Sequence, residues 1–253
     1  MNDKKLISRR EVIVGGMATL GALLLPGCNK KITLPPTYGN LLRLGDNLTY
    51  VAHRTLLPGQ KLAREYSRND ISSFPATSND PGEPGKPKSS EAYRKLRLGG
   101  FTDWRISIEG SVARPGTYSL ADLKKFPSRT QITRHTCEEG WTAIAEWSGV
   151  PLSRVLDAAG LLPSASCVCF YSYDDWADSI DMLDALHPQT LLAYGMNGRD
   201  LTVAHGAPVR LRVETQIGYK SMKYLQRIVV KDEFDDGGEK GNPMNGWAWY
   251  TGI

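Results

Sequence analysis

Arg134-His135-Thr136-Cys137-Glu138-Glu139-Gly140-Trp141 sets one cysteine in a polar run, with basic residues at the third and second positions before it. Positive neighbours favour the thiolate, which is the form of cysteine that binds soft metals or attacks carbon. Cys167 and Cys169 differ in kind. They alternate in an apolar stretch, share one face of a strand, and read as core residues. A Cys-x-Cys metal site is the alternative for them, but no second Cys or His pair stands at zinc-like spacing. A disulfide to Cys137 remains open. The second cluster is His205-Gly206-Ala207-Pro208-Val209-Arg210, followed by Gly218-Tyr219-Lys220-Ser221-Met222-Lys223. Arg210, Lys220 and Lys223 fall within 14 positions, among glycines that let a backbone approach a ligand. Arginine forks onto phosphate oxygens, lysine adds a point charge and turn amides add neutral donors, so the cluster reads as a pocket for a phosphate ester. A solvated basic face is the plainer reading, and His205 taken alone reads as structural. No Gly-x-x-x-x-Gly-Lys-Ser/Thr loop and no Gly-x-Gly-x-x-Gly after a strand are present, which disfavours nucleotide folds. The lack of Cys-x-x-Cys-His disfavours covalent haem.

The two clusters together, HTCEEGW at 135–141 and NGRDLTVAHGAPVRLRVETQIGYKSMKYLQRIVV at 197–230, resemble the molybdopterin domain of the sulfite oxidase family. The similarity is closest to its exported bacterial members, which include methionine sulfoxide reductase catalytic subunits, and it covers roughly residues 50–253. The resemblance implies that Cys137 is the single protein ligand of molybdenum, beside the dithiolene of the pterin. It implies that His205 and Arg210 contact the pterin, Arg210 near the phosphate. Ser221, Met222 and Lys223 would wrap the pterin and its phosphate, and Ser172 would touch the cofactor through its hydroxyl. Where several members carry an Asn or Arg after a Phe-Pro-like segment, Phe74-Pro75-Ala76-Thr77-Ser78-Asn79 offers Thr77 and Asn79. The implied cofactor is molybdenum with molybdopterin and no added nucleotide. The chain matches neither the haem domain nor the immunoglobulin-like dimerisation domain of the vertebrate enzymes. The expectation is therefore a monomer that exchanges electrons with a separate carrier, a cytochrome or a membrane haem subunit. The implied reaction is oxygen-atom transfer, from a sulfoxide or related S- or N-oxide; oxidation of sulfite is the alternative. Tyr250 is a candidate hydrogen-bond donor to a substrate oxygen. Asp174, Asp175 and Asp178 would put acid at the opening and disfavour sulfite, a dianion.

The elements that must position these residues are short. Trp104–Gly110 alternates as a strand, and Ser119 reads as the N-cap of a short helix helped by Asp122 and ended by Pro127. Thr130–His135 reads as a strand leading into Cys137. Pro151–Ala159 reads as a helix stopped by Gly160. Cys167–Tyr173 reads as a buried strand and Asp181–Leu186 as a short helix. Leu191–Met196 and Leu201–Val203 flank a hairpin turn at Asn197-Gly198. Val209–Thr215 and Tyr224–Lys231 complete the strands, and residues 75–90, with four prolines, read as a loop. Irregular interleaving without regular βαβ units predicts a single α+β domain with mixed sheets and short helices.

The chain has 253 residues, 31 Lys+Arg against 27 Asp+Glu, and 41% hydrophobic residues. That composition is globular, and four cysteines are too few for a disulfide scaffold. No basic run or basic–aromatic stripe supports nucleic acid as a partner. Lys4, Lys5, Arg9 and Arg10 precede an apolar run from Val12 to Pro26, too short for a bilayer span. Ser8-Arg9-Arg10-Glu11-Val12-Ile13 resembles a twin-arginine export signal, and Leu25-Pro26-Gly27-Cys28 resembles a lipobox with Cys28 as the lipidated residue. The expected organisation is a leader at 1–27, a tether at 28–50 and the oxidoreductase domain at 51–253. The expected location is the periplasm, with any membrane attachment through lipid or leader alone. Two plainer functions compete: a thiol enzyme with Cys137 as nucleophile and His135 or His205 as base, and a lipoprotein that binds an anion without catalysis.

Overall fold

The computed structural model describes residues 41–57, 61–76, 80–235, 237 and 246–253. The leader, Cys28, Thr77 and Asn79 lie outside these residues.

Fifteen elements follow in chain order: α1 (Leu41–Leu56), α2 (Glu91–Leu98), β1 (Arg105–Gly110), β2 (Gly116–Ser119), α3 (Leu120–Leu123), β3 (Arg129–Thr136), β4 (Thr142–Pro151), α4 (Leu152–Ala159), β5 (Cys167–Ser172), β6 (Ala177–Asp181), α5 (Met182–Ala185), β7 (Leu191–Met196), β8 (Arg199–Asp200), β9 (Arg210–Arg212) and β10 (Leu225–Lys231). One sheet runs β2-β1-β10-β5-β6, with β1 and β10 parallel and its other pairs antiparallel. The second runs β3-β4-β7-β8, with β9 also on β7, all antiparallel. Ile106, Val168, Phe170 and Ile228 from the first sheet share a buried cluster with Val150, Leu192 and Leu211 from the second, and α4 adds Val155 and Leu156. The sheets thus cover one core between them, an α+β architecture with mixed sheets as the irregular interleaving predicts.

Local chemistry accounts for the element ends. Ser119 accepts from the Asp122 amide while Asp122 reaches back to the Ser119 amide, a capping box that contributes about 1 kcal/mol. Gly160 ends α4 with φ 74°, a left-handed position that costs glycine little. Asn197 and Gly198, at φ 51° and 74°, make the tight turn between β7 and β8.

Several elements depart from the sequence reading. Leu201–Val203 is no strand: β8 stops at Asp200, and Val203–His205 turns as a 3-10 helix. Residues 41–50, read as the end of a tether, are the first part of α1, which Tyr50 and Arg54 anchor to the domain. The Tyr50 hydroxyl donates to Asp181 at 2.9 Å, and the Arg54 guanidinium forks onto Asp181 at 2.9 Å and reaches Asp184 at 2.6 Å. α2, β2, β4 and β6 have no counterpart in the sequence reading. Among the described residues no helix is long and apolar enough to cross a membrane.

Candidate active site

The β3–β4 hairpin carries Cys137 at its tip. Thr136 and Thr142 close the ladder, Cys137 donates its amide to the Trp141 carbonyl at 2.9 Å, and Gly140 turns back with φ 88°. The Cys137 side chain is 5% exposed. Its thiol donates to Glu138 at 3.4 Å, and burial, seconded by the Glu138 and Glu139 carboxylates, pushes it up to about 11. The expected thiolate is therefore not favoured by the protein alone: burial and the two carboxylates outweigh the positive charge nearby. His135 adds no charge of its own. Arg212, itself forked onto Glu214 at 2.7 and 3.0 Å, donates to His135 Nδ1 at 2.8 Å. Because arginine can only donate, the ring's proton sits on Nε2, and burial beside Arg212 and Arg210 keeps the imidazole neutral.

The second wall comes from the chain between β9 and β10. Arg210 Nη2 donates to the Ser221 carbonyl at 2.6 Å, Nη1 donates to the His205 carbonyl at 3.2 Å, and the Leu211 amide donates to the Met222 carbonyl at 2.8 Å. The Ser221 hydroxyl accepts from the Val213 amide at 3.1 Å. Gly206, at φ 100°, sits against the stems of both Arg210 and Lys223, where a Cβ would lie 3.0–3.1 Å from their carbons. Gly218 is as close to the opposite wall: a Cβ there would land on the His135 ring and 2.9 Å from the Thr136 carbonyl.

Between these walls is a cleft of about 250 Å³. It is lined by Cys137, Ser172, Arg210, Ser221, Met222 and Lys223, together with Phe74, His135, Glu138, Trp141, Asp174, Trp176, Gly218, Tyr219 and Trp247. Six of the residues that the resemblance assigns to the cofactor thus meet around one space. His205 stands just behind: its Nε2 donates to the Phe74 carbonyl at 3.3 Å, Nδ1 accepts from Thr202 at 2.9 Å, and its face opens on a neighbouring cavity of about 520 Å³ that shares Phe74. Tyr250 is not at the cleft. It is buried against Tyr50, His53 and Trp249, with the Arg54 guanidinium 4.9 Å from its ring centre. Lys220 is not there either: its ammonium is fully buried on Asp178 at 2.5 Å and on the Ser179 and Trp249 carbonyls. The same pair removes Asp178 from the opening, leaving Asp174, which accepts from Ser172, as the aspartate on the cleft wall.

The charge in the cleft asks for an anion. Burial lowers Arg210 to about 9, with Arg212 adding to the effect, and lowers Lys223 to about 7, with Arg210 adding to it. Among the described residues Arg210 has no carboxylate within ion-pair distance, and its hydrogen bonds go to backbone carbonyls. A phosphate dianion between the two would relieve both shifts. The cleft offers one thiol for a soft metal, and no cluster of three or more His, Cys, Asp or Glu able to hold a metal occurs among the described residues. That donor set fits a metal brought in by an organic phosphate cofactor that supplies its other ligands. Tyr219 lies inside the second cluster and Trp247 among the C-terminal aromatics, yet neither stands out in the sequence, because no local pattern tells an aromatic that lines a site from one that packs.

Comparison with known proteins agrees with this geometry. The chain is 38% identical over 149 residues to a putative protein-methionine-sulfoxide reductase subunit YedZ1 of Azospira oryzae, covering 59% of this chain and 56% of that protein. It is 29% identical over 247 residues to the protein-methionine-sulfoxide reductase catalytic subunit MsrP of Xanthomonas axonopodis pv. citri, covering 90% and 71%. The Campylobacter jejuni MsrP is 33% identical over 59% of this chain and 53% of its own. The chain therefore spans little more than half the length of the Azospira and Campylobacter proteins. Among solved structures, the sulfane dehydrogenase SoxCD of Paracoccus pantotrophus matches with a TM-score of 0.51 at 26% identity, over 55% of this chain and 40% of that one. Residues 96–238, more than half of the chain, match the family described as oxidoreductase molybdopterin binding domain. With the thiol, the paired cations and the mixed sheets in register with that match, the chain belongs to the sulfite oxidase family of molybdopterin-binding oxidoreductases.

Proposed function

We propose that the protein is a molybdopterin-dependent oxidoreductase that removes oxygen from a sulfoxide or related S- or N-oxide, with methionine sulfoxide as the leading substrate class. The names of the relatives support the substrate. The observation that carries the reading is the composition of the cleft wall. Trp141, Trp176, Trp247 and Phe74 supply apolar surface beside the thiol, and sulfur contacts aromatic rings favourably.

In this reading Cys137 Sγ binds the metal, Arg210 and Lys223 hold the phosphate, and Ser172, His205, Ser221 and Met222 contact the pterin. When bound, the cofactor supplies two-electron oxygen-atom transfer between molybdenum(VI) and molybdenum(IV). The protein's residues do the rest. The Cys137 thiol must lose its proton to bind a cation, and Glu138, which already accepts from it, is placed to take that proton. The aromatic wall excludes water and orients a thioether-like group. Once a phosphate matches Arg210 and Lys223, the acidic Glu138 and Asp174 remain on the wall and repel a dianion such as sulfite. Sulfite oxidation is the second reading, favoured by the likeness to a sulfane dehydrogenase. Export to the periplasm through the twin-arginine route, a lipid on Cys28, a separate electron carrier and a monomeric state complete the proposal, supported by the leader and by the family.

Metal analysis of protein expressed with its own leader tests this function. Close to one molybdenum per chain is expected, lost in Cys137→Ser; a metal-free protein with full activity sinks the reading. In a steady-state screen of sulfite against methionine sulfoxide and other S- and N-oxides, turnover of sulfite alone would overturn the substrate assignment.

A further inference from the structure

Cys167 and Cys169 take no part in the cleft, and both are buried, at 2% and 0% exposure. They alternate along β5, so both side chains leave the same face, opposite to Val168 and Phe170, which enter the core. On that face the chain just after β10 crosses over them. The Cys167 sulfur meets the Glu233 carbonyl at 3.2 Å and the Cys169 sulfur meets the Asp235 carbonyl at 3.7 Å. Two buried sulfurs on one strand face under a common roof raise the question of what could join them.

A disulfide does not. Alternate residues on a strand are about 6.6–6.8 Å apart, and with both side chains on one face their Cβ atoms are about as far apart, against the roughly 3.5–4.5 Å that a disulfide needs. Both cysteines are free. A metal placed between the sulfurs suits the spacing. Two metal–sulfur bonds of about 2.3 Å in a line hold sulfurs about 4.6 Å apart, which side chains leaning together from such Cβ atoms reach. The neighbours limit which metal. No third His, Cys, Asp or Glu completes a metal cluster among the described residues, so tetrahedral and octahedral ions lack ligands. A soft cation content with two thiolates does not.

We propose that Cys167 and Cys169 form a two-sulfur site for a soft monovalent cation, Cu(I) in particular, separate from the Cys137 cleft. Binding replaces two S–H bonds with two metal–sulfur bonds and releases two protons, with no change of oxidation state. The site gains one net negative charge. Lys231, which lies opposite Cys167 in the β10 register and pairs with Asp235 at 3.3 Å, is the cation placed to offset it.

The test is an anaerobic Cu(I) titration of the molybdenum-loaded protein against bathocuproine disulfonate, with molybdenum content read alongside. The wild type and Cys28→Ser are expected to keep one Cu(I) per chain. Cys167→Ala and Cys169→Ala are expected to weaken retention by more than about a hundredfold with molybdenum unchanged. X-ray absorption of the wild-type copper form should show two sulfur neighbours and no nitrogen, a measurement that stands even where a variant folds poorly. The site is overturned by loss of all copper from the wild type to the chelator, by wild-type retention in either alanine variant, or by a shell of three or more ligands.

Discussion

Three basic side chains within 14 positions meet three fates, set by burial and by the acceptors that reach each. Lys220 finds Asp178 and becomes a structural ion pair. Arg210 finds carbonyls and the face of Trp147, its guanidinium carbon 5.1 Å from the ring centre. Lys223 donates to the Ala204 carbonyl at 2.7 Å and is lowered to about 7. Without an anion the ammonium is lost above about pH 7, whereas a bound phosphate dianion holds it charged to higher pH, so binding takes up a proton in that window. Affinity of the cofactor-free protein for inorganic phosphate should fall by up to about tenfold per unit between roughly pH 7.5 and 9. Calorimetry in two buffers of different ionisation enthalpy should show the proton uptake, and Lys223→Met should abolish it. Gly218 gives the steric counterpart. Gly218→Ala drives a methyl into His135 and the Thr136 carbonyl, at a cost of about 1–3 kcal/mol. Because Thr136 precedes Cys137, the molybdenum content of this variant should drop, while an alanine at Gly116, with nothing near it, should leave the content unchanged.

At the scale of elements, α1 is the clearest case of structure outrunning sequence. Leu41-Leu42-Arg43-Leu44-Gly45-Asp46-Asn47-Leu48 carries turn-forming residues in its middle and was read as linker, yet Arg54 fixes the helix by ion pairs with Asp181 and Asp184 in which its own side chain is 9% exposed. Arg54→Ala would leave two buried carboxylates without their cation, a loss of about 3–5 kcal/mol that urea denaturation should read. Burial and the neighbouring Asp184 push Asp181 up to about 6 in spite of Arg54. A carboxyl raised in the folded state stabilises at low pH and loses that contribution as pH rises through its folded value. Stability should therefore fall between about pH 4 and 6, and Asp181→Asn should flatten that slope. What was legible obeyed local rules: the alternation of β1, the Pro151 to Gly160 frame of α4, and the Asn197-Gly198 turn. β6 was hidden because Ala177-Asp178-Ser179-Ile180-Asp181 is wholly buried although three of its residues are polar, their partners being Lys220, Trp249 and Arg54 from distant segments. The site divided the same way. Cys137, Arg210 and Ser221–Lys223 lie in two short segments and line one cleft, whereas Tyr250 and Asp178 lie away from it because their partners are set by tertiary packing.

For the whole molecule, the cleft is where the two sheets meet. Cys137 hangs from the β3–β4 turn of one sheet, Ser172 ends β5 in the other, and Arg210 to Lys223 run from β9 in the former toward β10 in the latter. A ligand that spans these residues ties the sheets together, and its phosphate adds negative charge beside Arg210 and Lys223. Loading should then stabilise the fold globally and not only around the thiol. A ligand present at a thousand times its dissociation constant contributes about 4 kcal/mol, which for a domain of this size moves the midpoint by roughly 8–16 °C. Scanning calorimetry of protein from cells able and unable to make molybdopterin should show that difference in a single transition. Cys137→Ser should sit between the two, since the phosphate end still binds while the metal bond is gone, and Lys223→Met should lie on the loaded side but lower than wild type. Equal midpoints with and without the cofactor would mean that the sheets are already locked by their shared core, and that the cleft only receives its ligand without being held together by it.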